Sequence, residues 1–283
     1  MFVAPWLFGF LVFTAGPMVT SLWLSFHKYD LHSMEFVGAE NYRRLLYNDP
    51  LFWKSLTNTI KYAIFSVPLG IIGSLALALL LNQKVRGIPV FRTLFYLPSL
   101  VPAVASALLW QWIFNTDNGI LNIGLSWLGL PEVQWLQDEN WALPAFVLMS
   151  LWGIGGGRMV IFLAGLQGIS DTYYEAARMD GASSWQQFRQ VTLPLLSPVM
   201  FFNLILGLIG AFQVFTSAYI MTGGGPNNST LFYALYLFRN AFEYFKLGKA
   251  SALAWLLFLL LITLTAIQFR MSKKWVFYEG EKA

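Results

Sequence analysis

Cysteine is missing altogether, and histidine occurs only at His27 and His32. The first absence excludes disulfides, thiolate metal sites and cysteine nucleophiles. The second leaves no material for an imidazole metal cluster or a histidine proton relay. Charge is scarce as well: 11% of residues are Asp, Glu, Lys or Arg, against about 25% in a typical globular domain. No Gly-rich loop ends in Gly-Lys-Ser/Thr, so the chain has no P-loop with which to cradle nucleotide phosphates. No His/Asp/Glu cluster or nucleophile–base pair stands out, and no metal site is expected. What fills the 283 residues is apolar: 57% are hydrophobic and mean hydropathy is +0.57. Such a composition predicts an all-α membrane protein. Its net charge of +4 fits the excess of Lys and Arg that membrane proteins carry on cytoplasmic faces, and no basic patch with interleaved aromatics points to nucleic acid.

A helical crossing needs about 20 mainly apolar residues. Six segments reach that length, at 3–26, 56–81, 92–114, 142–167, 195–221 and 250–269, and no linker divides 1–283 into two domains. The first segment is too long for a signal peptide and lacks a basic n-region. Because the chain starts inside that apolar run, a further basic segment is expected ahead of it. Loop charge sets the orientation. Lys84, Arg86 and Arg92 are unaccompanied by acid, which predicts a cytoplasmic loop at 82–91. Asp117, Glu132, Asp138 and Glu139 are unaccompanied by base, which predicts an outer loop at 115–141. The tail holds Arg270, Lys273, Lys274 and Lys282 and belongs inside. Alternation then puts 27–55 and 222–249 outside, and 168–194 inside with both termini. In the outer 222–249 stretch, Gly223-Gly224-Gly225-Pro226 predicts tight turns.

The one polar, helix-forming insert on the inner side is 168–194. Thr172 with Glu175 has capping-box spacing, which predicts a helix starting near Asp171. Ala176, Ala177, Arg178 and Met179 favour helix, and Gly181 supplies a left-handed stop. Ser184 with Gln187 repeats the capping spacing and predicts a second short helix through about Gln190. Leu193-Pro194 closes the unit, proline being tolerated in a first helical turn. Taken singly, each residue has a plain local role: Glu175 caps, Gly181 turns, the alanines favour helix.

Together, Glu175-Ala176-Ala177, Asp180-Gly181-Ala182 and Leu193-Pro194 resemble the cytoplasmic coupling motif of ABC importer permeases. The similarity extends to Ala4-Pro5-Trp6, Gly16-Pro17, Phe91-Arg92, Leu97-Pro98, Phe162 through Gln167, Thr222 through Pro226 and Asn228-Ser229-Thr230. It is closest to carbohydrate importers of the maltose and glycerol-3-phosphate type, specifically the first of two unlike permease subunits. The resemblance implies a six-helix permease core in a bacterial or archaeal cytoplasmic membrane. It implies a second permease, two ATPase subunits that hold ATP and Mg, and an extracytoplasmic solute-binding protein. This chain would carry no cofactor and no catalysis of its own. Glu175, Ala176, Ala177, Asp180, Gly181 and Ala182 would dock on one ATPase.

By the same resemblance, solute contacts fall on the spans flanking the insert. Candidates are Ser150, Trp152, Gly153, Gly157 and Arg158 before it, and Gly210, Ala211, Gln213 and Val214 after it. An aromatic face with an amide suits sugars, whose C–H faces stack on Trp while their hydroxyls need donors and acceptors. Close packing by small residues is the other reading of each glycine, and Asn203 has an interhelical hydrogen bond as its plain reading. Arg158 alone among the Lys and Arg residues sits well inside a predicted span, and no acid lies in any span. An unpaired Arg there costs several kcal/mol. Two readings stand side by side: a contact to the partner permease, or recognition of an acidic group on the solute. The rival class is an ion-coupled secondary transporter. Such proteins usually couple through intramembrane acids, whereas all 14 acidic residues here fall outside the predicted spans.

Overall fold

A computed structural model of the chain describes residues 3–30 and 33–277; His32 and Lys282 lie outside the described residues. In chain order, α1 (Ala4–Phe10), a π-turn at Leu11–Ala15 and α2 (Gly16–Ser25) form one continuous rod. A hairpin of β1 (His27–Tyr29) and β2 (Met34–Phe36), α3 (Glu40–Asn48) and α4 (Pro50–Leu81) follow. Next come α5 (Ile88–Tyr96), α6 (Ala103–Ile113), α7 (Ile120–Trp127), α8 (Glu139–Leu151) and α9 (Gly157–Gln167). The remainder is α10 (Asp171–Met179), α11 (Ser184–Gln187), α12 (Leu193–Phe212), α13 (Thr216–Met221), α14 (Tyr233–Phe238) and α15 (Leu247–Ser272).

Among the described residues, four helical stretches are long and apolar enough to cross a membrane: Ala4–Ser25, Pro50–Leu81, Ser184–Met221, which is interrupted at 213–215 between α12 and α13, and Leu247–Ser272. The third expected span, 92–114, is instead a pair of helices bent by 94° between α5 and α6. The fourth, 142–167, is broken between α8 and α9 at residues 152–156. Uninterrupted spans were expected at both places. Pro102 accounts for the first interruption by forcing Val101 into an extended conformation, at φ −71° and ψ 127°, and Pro98 removes a helical donor in the tighter 3-10 turn at Leu97–Leu100 just before it. Gly153, Gly155 and Gly156 account for the second.

At the centre stands α4. The Asp49 carboxylate starts it by accepting from the backbone N–H groups of Leu51 and Phe52 at 3.1 and 3.2 Å, with Pro50 in the first turn where no donor is lost. It packs against α8, α9, α12 and α14, and Ala63, Val67 and Ala78 on its inner face are buried. The rod α1–α2 is the opposite case. Trp6, Phe8 and Phe13 stand exposed, leaving an apolar surface for lipid or another subunit, and only its later part is tied to α15, where the Trp255 indole donates to the Ser21 hydroxyl at 3.1 Å.

The stretch 222–249 folds back onto the core. Gly223 and Gly224 turn with φ of +55° and +85°, and Phe232, Tyr233 and Leu235 are then fully buried. Asn58 of α4 donates to the carbonyls of Asn228 and Leu231 at 2.7 and 3.2 Å. The Thr59 hydroxyl accepts from the Tyr233 N–H at 2.9 Å, and the Tyr233 hydroxyl donates to the Leu253 carbonyl at 2.8 Å. A polar knot then joins α4, α14 and α15. Lys249 Nζ lies 2.6 Å from Asp49 Oδ2 and 2.8 Å from the Tyr236 hydroxyl, which itself donates to Asp49 at 2.5 Å.

Burial alone would raise the Asp49 carboxyl, but the hydrogen bonds from Lys249 and Tyr236 and the Lys249 charge outweigh it and hold it below the usual carboxylate range. Burial, with the adjacent carboxylate, pushes the Tyr236 hydroxyl up, so it stays a protonated donor. A carboxyl depressed on folding stabilises fully above its unfolded value of about 3.9, and that contribution is lost as pH falls through the lower folded value. Lys249→Ala should therefore lower stability by about 2 kcal/mol at neutral pH. Asp49→Asn should do the same and also remove this part of the acid sensitivity below about pH 4. Thermal unfolding in detergent across that range tests both.

Candidate functional site

Three interruptions of helix lie side by side. They are the α5–α6 bend, the α8–α9 break and the α12–α13 break at Gln213–Phe215. Backbone freed from a helix needs partners where no water reaches it, so such breaks persist only against protein or a wet cavity. The partners are present. The Ser74 hydroxyl of α4 donates to the freed Ile154 carbonyl at 2.7 Å. Gly155 packs so closely on the Phe95 carbonyl that a Cβ would collide with it, and a Cβ on Gly156 would come within 3.0 Å of the Ser99 side chain. Glycine is thus required at 155 by the approach of another backbone.

Two adjoining cavities occupy the space between these breaks. One, of about 360 Å³, is lined by Tyr62, Ser66, Ser99, Ser150, Gly153, Gly157, Arg158, Gly207, Gly210 and Ala211 among others. The other, of about 410 Å³, shares Tyr62, Ser99, Ser150 and Gly153 and continues past Trp152, Gln213, Val214 and Thr216. All the solute candidates read from the sequence therefore line one cavity or both. Tyr62, Ser66 and Ser99 were not among them. Tyr62 and Ser66 sit four residues apart on α4 and so share one face, but a hydroxyl in an apolar helix carries no sign of what it faces. Asn203 is fully buried in α12 and donates only within its own helix, to the Val199 carbonyl at 2.9 Å. The expected interhelical bond is not formed there.

The lining is chemically mixed. Trp152 is 46% exposed, with its ring held edge-on to Trp110 at 5.9 Å between centroids. The Tyr62 ring is held edge-on to Phe232 at 5.3 Å, and its hydroxyl lies beside those of Ser66 and Ser150. Hydroxyls, one amide and an indole face thus converge, a set that holds polyols by hydrogen bonds and ring stacking.

The insert is a second, separate site. The Ser170 hydroxyl, not Thr172, caps α10 by accepting from the Thr172 N–H at 3.4 Å. The reciprocal capping box expected at Thr172 and Glu175 is not formed, and the one expected at Ser184 and Gln187 falls one residue earlier, on Ser183 and Gln186. At the end of α10, Gly181 takes φ +77°, its N–H donates to the Arg178 carbonyl, and that of Ala182 donates to the Ala177 carbonyl, a Schellman closure. The second helix is not a separate piece. It runs through a π-turn at Phe188–Thr192 straight into α12. Pro194 cannot donate and its ring crowds the carbonyl four residues back, and the wider π-turn accommodates it. A hydrogen bond of 3.0 Å between the Tyr174 and Thr192 hydroxyls ties α10 to this continuous helix. Glu175, Ala176, Asp180 and Gly181 are exposed, and Ala177 and Ala182 half-buried.

The sequence profile of one protein family, described as the binding-protein-dependent transport system inner membrane component, matches residues 62–277. The chain belongs to that family. The match takes in both the cavity-lining breaks and the insert. Among curated relatives, the probable ABC transporter permease protein YesP of Bacillus subtilis (strain 168) is 43% identical over 99% of this chain and 92% of its own. The trehalose/maltose transport system permease protein MalF of Thermococcus litoralis is 36% identical over 96% of this chain and 92% of its own. A solved bacterial ABC transporter that imports the acidic polysaccharide alginate has the same fold, with TM-score 0.84 over 96% of this chain and 94% of its own, at 23% identity. The permease is therefore a multi-pass inner-membrane component of a binding-protein-dependent transport system, and not an enzyme.

The tightest joint between its two broken helices is open to test. Gly155→Ala should lower the permease's stability by about 2 kcal/mol or more, because the obstacle is backbone. Gly153→Ala, whose Cβ would meet only the Ser150 carbonyl at an ordinary 3.5 Å, should change it by less than about 0.5 kcal/mol. Thermal unfolding of the two variants in one detergent gives the comparison.

Proposed function

We propose that this chain is the first of two unlike permeases in an ATP-driven importer of a sugar, oligosaccharide or sugar derivative. The observation that carries the reading is the pair of cavities at the three helix breaks, where Trp152, Gln213 and the hydroxyls of Tyr62, Ser66, Ser99 and Ser150 converge. The relatives named for trehalose and maltose and for alginate support a carbohydrate. In this reading the chain crosses the membrane six times, the broken 142–167 segment included, with both termini cytoplasmic. A second permease completes the path, and an extracytoplasmic binding protein delivers the solute.

The insert is the drive shaft. Two ATPase subunits bind ATP and Mg, and one of them receives α10 and α11 in a cleft. The exposed Met179 and Trp185 give that contact an apolar anchor beside the acidic Glu175 and Asp180. Because α11 continues into α12, displacement at the ATPase is transmitted along a helix that ends at the Gln213 break beside the cavity. Closure of the ATPase dimer on ATP would tilt α12 and open the cavities outward, and hydrolysis would reverse it, a switch between two packed arrangements. Among the described residues, the cavity lining contains no carboxylate, which favours this drive over ion coupling.

Reconstitution of the complex in proteoliposomes tests the coupling. Gly181→Asp and Glu175→Lys should assemble with the partner subunits yet hydrolyse ATP without driving uptake. Normal uptake by both variants would sink the assignment.

A further inference from the structure

Arg158 is the only charged residue among those lining either cavity. It is half-buried, and among the described residues it has no carboxylate partner and none of its N–H donors reaches a protein acceptor. A guanidinium presents five donors in a planar fork that matches an oxyanion. Left without one in a poorly solvated site, it is a costly group to keep. The chain nevertheless makes room for it. Its Nη1 occupies space 2.5 Å from where a Cβ on Gly70 of α4 would stand, and its Nη2 lies 3.2 Å from one on Gly207 of α12. Glycine inside a helix costs about 1 kcal/mol relative to alanine, and here two helices are bared where the same guanidinium lies. Those contacts place the guanidinium between α4 and α12 of its own chain, on the wall of the cavity. Arg158 is also the second residue of α9, so the partial positive charge of that helix start falls at the same end of the cavity.

We propose that Arg158 makes the cavity an oxyanion site, and that the transported solute is an acidic sugar whose carboxylate or other acid group docks on the guanidinium. The hydroxyls of Ser66, Ser99 and Ser150 and the Tyr62 phenol then hold the neutral part of the sugar. This rests on the importer reading above and adds the charge of the cargo.

The test uses the assembled permease–ATPase complex. Its probes are a uronic-acid trisaccharide with its methyl ester, a sulfonated hexose with the parent hexose, and a hexose phosphate with the same hexose. Binding of each is measured by calorimetry on the wild-type complex and on Arg158→Gln, Arg158→Lys and Gly70→Ala. In at least one pair the anion should bind about 10- to 100-fold tighter than its uncharged counterpart, the range of a charge-assisted hydrogen bond. Arg158→Gln should erase that preference without weakening the uncharged member, and Arg158→Lys should keep part of it. Gly70→Ala should reduce it by displacing the guanidinium, with thermal unfolding unchanged because only a flexible side-chain end must move. No anion preference in any pair, or a preference that survives Arg158→Gln, overturns the proposal. If ATP-driven uptake of uncharged sugars proceeds without any anion preference, the importer reading stands and this inference falls. Absence of ATP-driven uptake for every sugar would sink the importer reading itself.

Discussion

A backbone carbonyl or amide released inside a membrane must find a partner, because hydrocarbon supplies none. The rest of this structure is arranged around that requirement. Helix is interrupted at 97–102, at 152–156 and at 213–215, and the interruptions are gathered in one place instead of being scattered along the bundle. Ser74 takes the freed Ile154 carbonyl, Gly155 lets the Phe95 carbonyl approach, and the amides of Val101, Gly153, Gly156 and Gln213 donate to carbonyls three residues back. The same arrangement that makes the breaks tolerable creates a polar enclosure at the heart of an apolar chain. Site and defect have one cause.

Around this centre the two ends of the molecule serve different purposes. At one end, Asp49, Tyr236 and Lys249 pin α14 and α15 to the start of α4, and Asn58 and Thr59 anchor the returning chain. The result is a cap with a hydrogen-bonded and aromatic interior, which touches the cavity through the Phe232–Tyr62 contact. At the other end, α10 is exposed on one side and held by the Tyr174–Thr192 bond on the other. The π-turn keeps α11 continuous with α12 in spite of Pro194. A rigid connection between the insert and the cavity follows from helix continuity alone, with no chain of intervening contacts required.

Much of this was legible in the residues. Apolar runs located the helices, because burial in lipid demands length and hydrophobicity that composition records directly. Gly181 stopped α10 as expected, since a left-handed closure restricts residue choice. The caps were misplaced, by two residues at α10 and by one at α11, because Ser170, Thr172, Ser183 and Ser184 can all cap, and only the path of the chain chooses between them. The breaks in the third and fourth segments were not foreseen. Proline and glycine are common in membrane helices, and their presence does not say whether a helix bends, packs tightly or stops.

By itself, the sequence determined that this chain is a helical membrane protein, which family it joins, and where its polar, helix-forming insert lies. These follow from hydrophobicity, loop charge and local turn chemistry, all of which act over a few residues. Only the tertiary structure decided that Gly70, Arg158 and Gly207, on three different helices, meet at one guanidinium. It alone decided that Ser150, Trp152 and Gln213 enclose one space with Tyr62 and Ser99. Those meetings depend on how helices distant in sequence pack, and no local pattern of residues encodes that.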